Sequence, residues 1–171
     1  MSNTVLINRA PVLCLWASIV ARRLGFNKGE ALSLAKGITG LTAQSKGRRL
    51  GIFTPKPAEA RKQKSGQDFA VEFMGRHIPC RNTADGVRHV NKGKPVTPES
   101  VEKYLAGKFG DDLEAATAAM EALAKAYKPS ELGDAAFGLY EDFRPRIPSG
   151  AKGWGAKGEL DLGEIRKLAK R

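Results

Sequence analysis

Cysteine and histidine are scarce here, two of each in 171 residues. Cys14 and Cys80 cannot build a disulfide framework and read as free thiols. Metal is not expected either. Zinc sites draw on paired Cys or His at tight, recurrent spacing. His77, Cys80 and His89, even with Asp85, do not repeat that way. The same residues suggest a Cys80 nucleophile between Arg76 and Arg81, with His77 as its base. Residues three apart on a strand point to opposite faces, so that pair should not meet.

Long apolar runs are also missing. The longest, Ala10 to Ala21, is interrupted by Ser18 and is too short to span a bilayer. It is a poor signal-peptide core, because Arg22-Arg23 occupy the place of a small-residue cleavage site. It reads as a buried helix, the protein as cytoplasmic, and no membrane is expected as a partner.

Carboxylates are nearly absent from the first third. Residues 1–64 carry 12 Lys/Arg against only Glu30 and Glu59, a net +10 out of +11 for the chain. Residues 111–171 carry 10 against 11. Such asymmetry points to a polyanionic partner for the basic third, nucleic acid or an anionic surface. The competing reading is a solvated face that serves solubility alone.

What is present organises around 8–53. Pro11 suits a first helical turn and Gly25 the residue past an end. Between them Val12, Leu13, Leu15, Trp16, Ile19, Val20 and Leu24 are too widely spread for a surface stripe, as in a buried helix. Asn27 then offers an N-cap with Glu30 as its capping-box partner. A second helix carries Leu32, Leu34, Ile38 and Leu41 and runs out into Lys46-Gly47-Arg48-Arg49. The Gly25-Phe26-Asn27 link resembles that of helix-turn-helix proteins in outline. However, a recognition helix should be basic at its N-terminal end, and this one is basic at its exit, which favours phosphate contact over base reading.

Residues 54–95 read as linker and ribbon. Phe69, Val71 and Phe73 alternate as in a half-buried strand. Gly75-Arg76 suits a turn into His77-Ile78-Pro79-Cys80, an edge strand because Pro79 lacks an N–H. Val87 to Val90 is a candidate third strand. From 96 to 143 the chain reads as helices. Thr97-Pro98 opens one, Leu113, Ala116, Met120, Leu123 and Tyr127 mark the next, and Pro129 starts another that ends before Pro145. In 144–171 a Gly-rich loop leads to a short helix over Leu160–Lys170.

Two motifs in that last part carry little. Gly153-Trp154-Gly155-Ala156-Lys157-Gly158 matches G-x-G-x-x-G, but no strand precedes it and no acidic residue follows at the required distance. Trp154 is expected to anchor the loop; exposed between Lys152 and Lys157, it would be a stacking surface for a base. Pro145-Arg146-Ile147-Pro148 is a P-x-x-P that suits an SH3-like groove or a plain rigid loop.

The expectation is therefore one mainly α domain, residues 1–171, of five to six helices with a small two- or three-stranded β-ribbon. Its expected activity is low-specificity nucleic-acid binding. Lys46, Arg48 and Arg49 would grip phosphates, Arg61, Lys62 and Lys64 extend the patch, and Arg22 and Arg23 flank it. The alternative is a protein-interaction module using the Gly/Pro-rich C-terminal loop. No nucleophile–base–oxyanion set can be assembled, so neither catalysis nor a cofactor is expected.

Overall fold

The computed structural model describes residues 4–45, 68–74, 76–91, 93–145 and 157–170, with side chains described up to residue 40 in the first stretch. In chain order the elements are β1 (Thr4–Asn8), α1 (Arg9–Arg23), α2 (Lys28–Ser45), β2 (Asp68–Phe73), β3 (Arg76–Thr83), β4 (Gly86–Asn91) and β5 (Lys94–Pro95). There follow α3 (Pro98–Phe109), a 3-10 turn (Gly110–Asp112), α4 (Leu113–Lys125), α5 (Pro129–Phe143), β6 (Lys157–Asp161) and α6 (Leu162–Ala169). The protein is mostly α, as the periodicities indicate, but it has more β structure than expected. Four strands form one antiparallel sheet in the order β2-β3-β4-β5, and β1 pairs with β6 in a second.

Helix α1 is the axis of the molecule. It packs on α2, α3, α4, α5 and β1, and Ala10 through Ser18 are all buried. That explains the breadth of its apolar set. Trp16 is fully enclosed; its indole N–H donates to the Ala136 carbonyl at 2.9 Å, and its ring meets Phe143 edge-on at 5.3 Å. The helix begins two residues before Pro11, with Asn8 at its N-cap position.

Helix α2 joins the helical half to the sheet. Its start is the expected capping box: the Asn27 N–H donates to Glu30 Oε1 (3.0 Å), and the Glu30 N–H donates to Asn27 Oδ1 (2.9 Å). Glu30 also reaches beyond its own helix. It is 0% exposed, and its Oε2 accepts the Val87 N–H of β4 at 3.1 Å. Gly86 lies directly beside it at φ +113, where a Cβ would come within 3.0 Å of Oε2. One turn on, the Ser33 hydroxyl donates to the Val96 carbonyl and accepts the His89 N–H, both at 2.8 Å. At Gly37 helix and sheet nearly touch, since a Cβ would fall 2.7 Å from Ile78 Cγ2. Glycine is what admits that approach.

Phe69, Val71 and Phe73 share the inner face of β2, as the alternation requires, with Val71 and Phe73 buried and Phe69 half-buried. The turn differs from expectation. Arg76 is not a turn residue but the first of β3, paired with Phe73, and Met74 takes the left-handed conformation at φ +51. Nor is β3 an edge strand, because β2 flanks it on one side and β4 on the other. Pro79 is tolerated because the ladder to β4 begins one residue later, at Cys80. Val87–Val90 lies within β4, the expected third strand.

The second sheet pairs Thr4 with Asp161 and Ile7 with Gly158. Val5, Ile7 and Leu160 face inward. The final helix was expected from Leu160; instead Leu160 is a strand residue and α6 starts at Leu162. Asp161 sets that boundary, accepting the N–H groups of Gly163 (2.9 Å) and Glu164 (3.3 Å). Leu162, Ile165 and Leu168 are buried, and α6 packs on α4. Leu123, on α4, is fully buried as its 3-4 spacing requires.

Candidate functional site

Of the basic residues assigned to phosphate contact, Arg22 and Arg23 are described; Lys46, Arg48, Arg49, Arg61, Lys62 and Lys64 lie outside the described residues, as does Trp154. Arg22 and Arg23 are exposed at the last turn of α1. Cations there complement the negative end of the helix dipole. Arg23 Nη2 donates to the Tyr127 carbonyl at 3.0 Å, tying the end of α1 to that of α4. Ser45, which precedes Lys46, stands at the opposite end of the hairpin. At about 1.5 Å per residue, α2 separates it from Lys28 by about 26 Å.

Arg22 also lines a cleft of about 460 Å³ between α1, α2, α3 and α4. Leu15, Ile19, Leu32, Leu105 and Leu113 form its apolar lining. Lys28 and Glu102 pair across the rim at 3.7 Å, both exposed, and Glu121 adds a second carboxylate. An exposed pair of this kind contributes about 0–1 kcal/mol. The volume falls within the range of about 300–1,000 Å³ typical of ligand pockets. Sequence reading missed the cleft, because its walls come from four helices whose packing no local pattern reveals.

The Cys–His chemistry is decided by register. His77 is exposed on the outer face, 3.5 Å from Glu72, while Cys80 is buried on the inner one. The residue opposite Cys80 is His89, one strand over. Its Nδ1–H donates to the Pro79 carbonyl at 2.9 Å. Burial lowers the His89 pKa and pushes the Cys80 thiol up to about 12. Both groups are neutral at pH 7, so this pair supplies no thiolate nucleophile. Cys14 behaves alike, raised by burial to about 11. Among the described residues no group of His, Cys, Asp or Glu is placed to hold a metal ion.

Two further motifs are partly visible. Gly158, last of the G-x-G-x-x-G, is a strand residue opposite Ile7, not the opening of a helix. Pro145, first of the P-x-x-P, is buried, and its carbonyl accepts Arg9 Nε–H at 3.0 Å. Among the described residues no helix is long and apolar enough to cross a membrane.

No protein-family model matches this chain, and neither do any curated protein or solved structure.

Proposed function

We propose that this protein binds nucleic acid with low sequence specificity, through phosphate contacts made by its basic N-terminal third. One observation carries the reading. That third has only two carboxylates against 12 Lys/Arg, and one of the two, Glu30, is buried with its oxygens engaged by backbone N–H groups. Its charge is turned inward, which leaves Glu59 as the one other carboxylate to offset that surface. Arg22 and Arg23 contribute from the end of α1, Lys46, Arg48 and Arg49 follow α2, and Arg61, Lys62 and Lys64 extend the patch. Basic residues of this kind grip the backbone and leave base edges unread. On this reading the protein works in the cytoplasm, where Cys14 and Cys80 stay reduced.

The test is the salt dependence of binding to a random duplex. Each phosphate neutralised adds about −0.9 to the slope of log affinity against log salt. Arg22→Ala with Arg23→Ala should flatten the slope by about 2, and Lys46, Arg48 and Arg49 to Ala by about 3, for every sequence alike. Absence of wild-type binding at low salt would refute the reading.

The apolar cleft favours a second reading, a protein-interaction module that takes up a partner's apolar side chain. Ala106→Trp, which would fill the cleft, separates the two readings. Nucleic-acid binding through Arg22 and the basic patch should survive it.

A further inference from the structure

Arg76 opens β3 on the inner face of the sheet, in step with Ile78 and Cys80. Its side chain is enclosed, with the residue 4% exposed. Among the described residues no protein group accepts a hydrogen bond from its Nε or its Nη2. Those two nitrogens form one edge of the guanidinium fork, with their N–H bonds nearly parallel. Such an edge engages two oxygens of one oxyanion at once. The carboxylates on the adjacent strand are turned away. Asp68 holds Arg81 at 2.7 Å and Glu72 lies 3.5 Å from His77, both on the outer face.

A buried cation lacking an acceptor destabilises a fold, and an apolar residue of similar size would avoid that cost. Burial lowers the Arg76 pKa, yet a guanidinium remains charged at neutral pH. The charge of the chain, net +11, sharpens the choice of anion. A surplus of positive charge favours a doubly charged oxyanion over a single carboxylate.

We propose that Arg76 is the receptor for one phosphate group, held bidentately by Nε–H and Nη2–H beside the β2–β3 turn. The assignment is independent of the nucleic-acid reading. The phosphate is either a free or terminal one, or a diester of a nucleic-acid backbone.

Thermal unfolding of the full chain in inorganic phosphate, against chloride at matched ionic strength, tests the site. The melting temperature should rise with phosphate in the wild type and not in Arg76→Met. That variant removes a buried charge, so without phosphate it should be at least as stable as the wild type. Arg76→Lys keeps the charge but loses the fork, and phosphate affinity should fall about 10- to 100-fold, the equivalent of one charge-assisted hydrogen bond. Single-stranded oligonucleotides with and without a 5′-phosphate identify the source. A terminal phosphate is supported if only the phosphorylated strand discriminates wild type from Arg76→Met. A diester is supported if both strands do, with the salt slope about 0.7 shallower in the variant. A phosphate response without oligonucleotide binding would keep this site and remove the nucleic-acid reading. Three results would overturn the proposal: no phosphate-specific rise, an equal rise in Arg76→Met, or an equal rise with acetate.

Discussion

Replacing Glu30 by glutamine preserves the shape of the side chain and removes one acceptor. In the wild type, Oε1 accepts the Asn27 N–H at 3.0 Å and Oε2 accepts the Val87 N–H at 3.1 Å. A glutamine amide has one oxygen. Whichever way it is turned, one backbone N–H faces the amide NH2 instead of an acceptor, and at Val87 that position is buried. A hydrogen bond to a charged group contributes about 1.5–3 kcal/mol, and Glu30→Gln should lower stability by about that amount. Glu30→Ala loses both bonds and should cost about 3–6 kcal/mol, a large part of an ordinary domain's 5–15 kcal/mol. Urea unfolding followed by circular dichroism measures both, with an unchanged m-value as the sign that the folded state has kept its extent. A double-mutant cycle localises the effect. Gly86→Ala sets a Cβ within 3.0 Å of Oε2 at φ +113, so part of its cost should vanish in the Glu30→Ala background. If Glu30→Gln equals or exceeds the wild type in stability, the reasoning fails. The desolvation of a buried charge would then outweigh its hydrogen bonds.

Two further outcomes follow from the core and from the sheet. Leu123→Ala, at a fully buried position of α4, should cost about 2–5 kcal/mol in the same urea assay, whereas a surface value near 0.5 would mean α4 is packed otherwise. His89 should make stability fall on acidification. Its pKa is lowered from 6.5 in the folded state, chiefly by burial, so the unfolded chain takes up the proton first as pH drops below about 6.5. Stability is then lost progressively until the folded pKa is reached, and this His contributes nothing further below it. His89→Gln should flatten that part of the stability–pH profile; an unchanged profile would show that the imidazole is equally basic in both states.

Local chemistry was legible in the sequence and distant pairing was not. Asn27 and Glu30 announce a helix start because both partners lie within four residues. Nothing local reveals that the same carboxylate also holds Val87, 57 positions on. The 3-4 spacing placed Leu123 in the core, and alternation put Phe69, Val71 and Phe73 on one face. By contrast, β1 and β6 are five residues each and take their partner from the far end of the chain. Val5-Leu6-Ile7 does not alternate, because Leu6 is apolar yet 67% exposed. Pro79 suggested an edge, since sequence cannot tell where a ladder to the next strand begins. The charge asymmetry behind the functional reading was fully visible. The inward turn of Glu30, the cleft and the enclosed Arg76 depend on packing and were not.

The pairing of β1 with β6 also sets an order of events during synthesis. Thr4–Asn8 leaves the ribosome well before its partner Lys157–Asp161, which is made about 150 residues later. At about 5–20 residues per second, that gap lasts roughly 8–30 s. Throughout it, Val5, Leu6 and Ile7 form an apolar strand without its ladder, the kind of edge that recruits other chains. Helices α1 and α2 can already pack together in that interval, because their contacts are near in sequence. The β1–β6 ladder is therefore a late closure, and a nascent chain stalled before residue 157 would carry its sticky strand indefinitely. Lengthening the pause by slow codons in the 145–156 stretch should raise aggregation without changing a single side chain.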